Sequence, residues 1–144
     1  MTYAGSCHCG NVRVRFDTEI PAERIDVRQC GCSFCRRHGA RTATDPAGHV
    51  AVDVADGSAL SRYGFGLGTA EFMVCARCGV YVAAILFATD ETAFATVNLN
   101  ALDERARFGP GRPVDFEGED APARIARRKA RWTPARLTLG VPTQ

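Results

Sequence analysis

Seven cysteines in three tight groups constrain this chain more than any other feature: Cys7-x-Cys9, Cys30-x-Cys32-x-x-Cys35 and Cys75-x-x-Cys78. Met1 to Gly10 has no basic stretch followed by an apolar one, so no signal peptide is expected and a cytoplasmic location is. A disulfide framework would leave one thiol over and would need an oxidising compartment. Neighbours such as Cys7 and Cys9 also point to opposite faces of an extended strand and bridge poorly. Metal binding accounts for both number and spacing. Zinc is the metal expected, because none of the common ferredoxin spacings is present.

Two of the groups look alike. Cys7-His8-Cys9-Gly10 leads into a strand-like run from Val12, and Cys75-Ala76-Arg77-Cys78-Gly79 leads into another from Val80. In each, the glycine permits a tight turn whose amides face the sulfurs. The symmetry points to one closed, structural four-thiolate site from Cys7, Cys9, Cys75 and Cys78. Cys30, Cys32 and Cys35 then form a three-thiolate site with an open position. Spacing alone also lets Cys32 and Cys35 join one of the pairs. His38, three residues after Cys35, is read as an exposed loop residue, His8 as a residue pointing away from the metal, and His49 as a surface strand residue.

A chain of 144 residues with 46% hydrophobic and 24% charged residues is expected to form one globular domain, residues 1–144, with a real core. No apolar run approaches the length of a membrane span. Val12, Val14 and Phe16 alternate with Arg13 and Arg15 as in a half-buried strand, and Val50, Val52 and Val54 alternate likewise. Val80 to Phe87 reads as a strand covered on both faces, and Phe94 to Leu99 as a further strand. Short helical turns are expected at Cys32 to His38 and Ala101 to Arg107, and a loop over Phe108 to Gly118. Asp120 reads as the N-cap of a helix over 121–132, with Pro134 as its stop and fraying after Gly140. The fold class is thus mainly β with short helices and a C-terminal helix.

Three stretches together resemble the glutathione-dependent formaldehyde-activating enzyme family, which includes centromere protein V. They are Gly5-Ser6-Cys7-His8-Cys9-Gly10, Cys30-Gly31-Cys32-Ser33-Phe34-Cys35-Arg36-Arg37 and Phe72-Met73-Val74-Cys75-Ala76-Arg77-Cys78-Gly79. Val97-Asn98 and Leu102-Asp103 extend the resemblance, which runs from about residue 3 to about residue 104. It implies an Mss4-like zinc-binding β fold and two zinc ions per chain. It also implies a structural zinc on Cys7, Cys9, Cys75 and Cys78, and a catalytic zinc on Cys30, Cys32 and Cys35. The implied reaction is that of a carbon–sulfur lyase, joining glutathione and formaldehyde to S-(hydroxymethyl)glutathione or cleaving that adduct. Arg36 and Arg37 are candidates to meet the carboxylates of glutathione.

Arg124, Arg127, Arg128, Lys129 and Arg131 crowd the C-terminal helix. Ile125 and Trp132, seven apart, are expected to pin it to the sheet. The upstream acids Asp115, Glu117, Glu119 and Asp120 balance the charge, and no aromatic stacking pattern accompanies it, so the helix is read as a solvated face rather than a nucleic-acid surface. Net charge of +2 adds no argument for nucleic acid. A small thiol and an aldehyde are the expected partners. The competing readings are a zinc-stabilised binding module without turnover and a thiol redox sensor using Cys32 and Cys35.

Overall fold

A computed structural model describes residues 1–141. Among the described residues, eleven strands form one open sheet. They are β1 (Thr2–Ser6), β2 (Val12–Asp17), β3 (Arg28–Cys30), β4 (Thr42–Ala43), β5 (His49–Val54), β6 (Leu60–Tyr63), β7 (Glu71–Cys75), β8 (Tyr81–Phe87), β9 (Ala93–Asn98), β10 (Arg112–Val114) and β11 (Thr133–Leu139). The α-helices α1 (Ser33–His38) and α2 (Ala121–Arg131) accompany them. Among the described residues no helix is long and apolar enough to cross a membrane.

The sheet branches at β9. One edge of β9 pairs with β8 along its length, leading on to β7 and β6. The other edge is shared. β11 pairs with Ala93 to Ala95, and β4 with Val97 and Asn98. From β11 the ladder continues through β5 and β2 to β1. From β4 it continues through β3 to β10.

The alternating runs behave as expected. On β2, Val12, Val14 and Phe16 are buried and Arg13 and Arg15 are exposed. β8 is buried at every residue except Phe87. The main core gathers the three β2 residues with Tyr3, Val50, Val52, Met73, Ile85, Val97 and Leu99. A second, smaller core contains Phe72, Tyr81, Leu86 and Trp132. At about 25 cal/mol per Å2 of apolar surface, a buried side chain of this size contributes about 1.5–3 kcal/mol.

Helix α1 matches the expected turn. Helix α2 starts where Asp120 accepts a hydrogen bond from the Ala123 amide at 2.9 Å. It ends at Arg131, before Pro134 is reached. Pro134 lies near the start of β11, opposite Phe94, a place in a strand where a missing amide is tolerated. The chain after the helix is therefore a strand that fills the gap between β5 and β9.

Two further expectations are corrected. The loop over Phe108 to Gly118 contains β10, which runs parallel to β3 and exists only because β3 offers a free edge. The turn over Ala101 to Arg107 is split into two single 3-10 turns, Leu99–Ala101 and Arg105–Arg107. Between them Leu102, 2% exposed, is extended and bridges to Gly5. The fraying expected after Gly140 falls, past Val141, outside the described residues.

Candidate metal centres

The two look-alike groups form related turns, the second one residue longer between cysteine and glycine. After β1, the Cys7 amide donates to the Val12 carbonyl at 2.8 Å and the Gly10 amide to the Cys7 carbonyl at 3.2 Å. After β7, the Cys75 amide donates to the Val80 carbonyl at 3.1 Å and the Gly79 amide to the Cys75 carbonyl at 2.9 Å. Gly10 and Gly79 sit at φ 85° and 79°, a conformation side-chain-bearing residues rarely adopt. Amides also face the sulfurs: Val12 donates to Cys7 Sγ at 3.2 Å and Arg77 to Cys75 Sγ at 3.4 Å.

The turns meet. Cys9 Sγ lies 3.5 Å from Cys75 Sγ and 3.7 Å from Cys7 Sγ, and the sulfurs of Cys7, Cys9, Cys75 and Cys78 all lie within 4.8 Å of one another. A tetrahedral zinc with bonds of about 2.3 Å sets its sulfurs about 3.8 Å apart, so four thiolates here suit that ion. Burial pushes the Cys7 thiol up to about 11. Burial also pushes Cys78 up, but the amides of Cys9 and Val80 and the thiols of Cys75 and Cys7 outweigh it and bring Cys78 down to about 6. The cluster thus favours negative charge on an outer sulfur first.

Cys30, Cys32 and Cys35 form the second group, again with sulfurs within 4.8 Å of one another. Cys30 ends β3, Cys32 is the N-cap of α1, and Cys35 is buried in its first turn. The Cys35 amide donates to Cys32 Sγ at 3.4 Å. The intervening Gly31 is held by β10, its amide donating to the Val114 carbonyl at 2.9 Å. Hydrogen bonds from Cys30 and Cys35 pull Cys32 down to about 2, while the bond with Cys32 pushes Cys30 up. Bonds with Cys30 and Cys32, with burial, push Cys35 up strongly. One thiolate is thus solvated by two thiols, and three such donors also suit a soft divalent metal. Neither Cys32 nor Cys35 joins the four-sulfur group.

What lies beside the second group was not legible. The three cysteines line a cavity of about 150 Å3 that opens to solvent. Its apolar wall includes Phe65, Phe72 and Trp132. Phe34 packs beneath with ring centroids 5.4 Å from Phe65, 4.7 Å from Phe72 and 5.0 Å from Tyr81. The Tyr81 hydroxyl is buried in this wall and has no hydrogen-bond partner among the described residues. Burial and the neighbouring Cys35 push its pKa well above the phenol range, so it stays protonated. A buried donor without an acceptor costs about 1–3 kcal/mol.

The basic helix is not simply a solvated face. Arg124, Arg127 and Arg128 turn toward the cavity, while Lys129 and Arg131 are exposed. Glu119 takes a two-pronged bond from Arg127 at 2.8 and 3.0 Å and a longer one from Arg124. The Arg127 guanidinium lies 3.6 Å from the Phe116 ring centre. Arg128 lies over Trp132 at 4.5 Å and donates from Nη1 to Thr69 Oγ1 at 2.8 Å, but its Nε is buried and has no partner among the described residues. Burial, and then Arg127 and Arg124, lower its pKa to about 10. Ile125 and Trp132 pack into the second core, as their spacing requires.

Arg36 and Arg37 do not line this cavity. Both are exposed, Arg37 bonding the Ser33 carbonyl at 3.1 Å and Arg36 bordering a separate hollow beside Cys30 and Cys35. His38 is exposed and packs on Phe34 at 4.5 Å, outside the sulfur group, and His8 is exposed as well. His49, on β5, is half-buried.

Comparison with known proteins found a family and a similar structure. A family model described as glutathione-dependent formaldehyde-activating enzyme matches residues 2–116. The match includes all seven cysteines and ends before α2 begins. The crystal structure of a Rhodobacter sphaeroides protein is similar at 36% identity and a TM-score of 0.52, over 69% of this chain and 87% of that one. No curated protein matches.

Proposed function

The chain belongs to the family of glutathione-dependent formaldehyde-activating enzymes, and on that premise we propose that it is a zinc-dependent carbon–sulfur lyase. It joins a thiol to an aldehyde, or cleaves the adduct, at Cys30, Cys32 and Cys35. The observation that carries the reading is the cavity. Three of the seven sulfurs line one, and the other four are grouped with one another instead. A group of four is complete for a structural metal, whereas a group of three leaves a position for a substrate. Two zinc ions per chain follow, a structural one on Cys7, Cys9, Cys75 and Cys78 and a catalytic one on the remaining three. Glutathione and formaldehyde are the pair for which the family is described.

Zinc at Cys30, Cys32 and Cys35 would lower the pKa of a thiol and polarise a carbonyl. The chain supplies the rest. The Cys35 amide stabilises charge on Cys32 Sγ. Phe65, Phe72 and Trp132 keep water from the apolar wall. In the condensation a sulfur–carbon bond forms and the carbonyl π bond opens. The thiol proton ends on the former aldehyde oxygen, so no oxidant or reductant is consumed. Tyr81 lines the same cavity, and its hydroxyl, which has no acceptor among the described residues, would donate a hydrogen bond to that oxygen once brought within reach of it.

Metal analysis and turnover test this together. The zinc-replete chain is expected to hold two zinc ions and to form hydroxymethyl adduct from glutathione and formaldehyde, followed by NMR. Cys32→Ala is expected to hold one and to lose adduct formation. Adduct formed by Cys32→Ala as fast as by the parent sinks the proposal.

A further inference from the structure

Formaldehyde is one carbon and one oxygen, and the space beside Cys30, Cys32 and Cys35 is larger than it needs. The cavity measures about 150 Å3. An apolar cavity of about that size holds a benzene ring, whereas one water takes about 30 Å3 of liquid. Phe65, Phe72, Val114, Phe116 and Trp132 supply its apolar lining, with the rings of Phe65 and Phe72 4.7 Å apart.

The polar side chains around it are already engaged. Arg124 and Arg127 bond Glu119, Arg128 donates to Thr69, and Arg28 donates to Thr44. Thr42 and Thr96 donate to the carbonyls of Arg28 and Ala43. The charges also cancel. Arg28, Arg124, Arg127 and Arg128 are answered by Asp115, Glu117 and Glu119, together with the single negative charge of three thiolates around a divalent ion. A neutral cavity with engaged polar groups and apolar walls suits a neutral, apolar group.

We infer that this cavity receives the apolar side group of an aldehyde larger than formaldehyde, such as butanal or benzaldehyde. The inference rests on the lyase reading and keeps glutathione, the thiol for which the family is described. The reaction is the same: a sulfur–carbon bond forms, the carbonyl π bond opens and the thiol proton ends on the oxygen, giving a thiohemiacetal. Only the substituent on the carbonyl carbon differs. Burying it adds binding that formaldehyde cannot supply. Formaldehyde still reaches the sulfurs but leaves the walls uncovered. Trp132 lies beyond the family match at residues 2–116, so one of those walls comes from the C-terminal segment of this chain.

Two measurements on the full zinc-loaded chain test it. In the first, kcat/KM with glutathione is measured for acetaldehyde, propanal and butanal, each divided by the uncatalysed rate for the same aldehyde. The quotient is expected to rise about fourfold per added methylene, the gain for burying one. Phe65→Ala is expected to reduce the butanal-to-acetaldehyde ratio about threefold or more. Leu67→Ala, exposed on the same loop and outside the cavity lining, is expected to keep it. The ratio is internal to each variant, and the series on the parent chain stands by itself should Phe65→Ala fold poorly. In the second, benzyl alcohol, which cannot form the adduct, is titrated against the fluorescence of Trp132, the chain's single tryptophan. A saturable change is expected, weaker in Phe65→Ala and undisturbed by S-methylglutathione. Displacement of benzyl alcohol by S-methylglutathione assigns the cavity to the thiol and overturns the proposal, and a flat aldehyde series overturns it as well. Formaldehyde turnover with a flat series and no benzyl alcohol binding removes the pocket and leaves the lyase standing. Benzyl alcohol binding with no turnover of any aldehyde keeps the apolar pocket and removes the lyase on which its aldehyde rests.

Discussion

Cys7, Cys9, Cys75 and Cys78 come together from two related turns, whereas Cys30, Cys32 and Cys35 come from one continuous stretch with a cavity beside them. In the first group nearly everything that orients a sulfur is local: a positive-φ glycine, a carbonyl and an amide within five residues. Cys7 and Cys75 belong to the main core between the sheet's arms. In the second group the sulfurs are equally local, but their surroundings are not. β10, β8, the segment around Phe65 and α2 each contribute a wall. The difference teaches that ligand chemistry alone does not separate a staple from a reaction site. What stands next to the ligands does.

The sharpest way to break the comparison is Cys9→Ala. Cys9 is exposed, so without a metal the change should cost no more than about 0.5 kcal/mol. As a ligand of a structural zinc it is expected to cost about 3 kcal/mol or more, read by chemical denaturation of zinc-loaded protein. A small cost would reduce the first group to a pair of ordinary turns.

Next in size is the pair Cys32→Ala and Cys32→Ser. Both are expected to lower adduct formation at least a hundredfold. Because Cys32 caps α1, the alanine variant should also lose about 1 kcal/mol, which serine, an N-cap residue, should largely restore. Separating stability from turnover in this way would show that the second group does not hold the fold together.

Tyr81→Phe is expected to move the two properties in opposite directions. Removing an unpartnered buried hydroxyl should raise stability by about 1 kcal/mol, while turnover falls about tenfold. Equal turnover would free Tyr81 of any part in holding the aldehyde oxygen. The smallest effect is expected from Asp120→Ala, which removes the N-cap of α2 at a cost of about 1 kcal/mol. Hydrogen exchange should rise in α2 and leave the two turns after β1 and β7 unchanged.

Much of this architecture was legible because it is written locally. The alternation along β2, the continuous apolar run of β8 and the Asp120 cap each follow from residues a few positions apart. Less legible were β10 and β11, whose short or proline-bearing sequences become strands only when β3, β5 and β9 offer edges. The role of the basic helix was misread for a related reason. Spacing shows that Arg124 and Arg128 share a face, but not that the face turns inward over a cavity.

By itself, then, the sequence marked out the three cysteine groups, two of them followed by glycine and a strand, because sulfur spacing and turn chemistry are short-range. Spacing alone left Cys32 and Cys35 free to join one of the pairs, and the structure groups the sulfurs as four and three. Only the tertiary structure decided what the three face. Arg28 and Arg128 are a hundred residues apart, and Phe65, Tyr81 and Trp132 come from three further segments. They meet because β11 docks between β5 and β9 and packs Trp132, the residue just before it, into the second core, drawing α2 over the sulfurs. Long-range burial made that choice, and no local pattern encodes it.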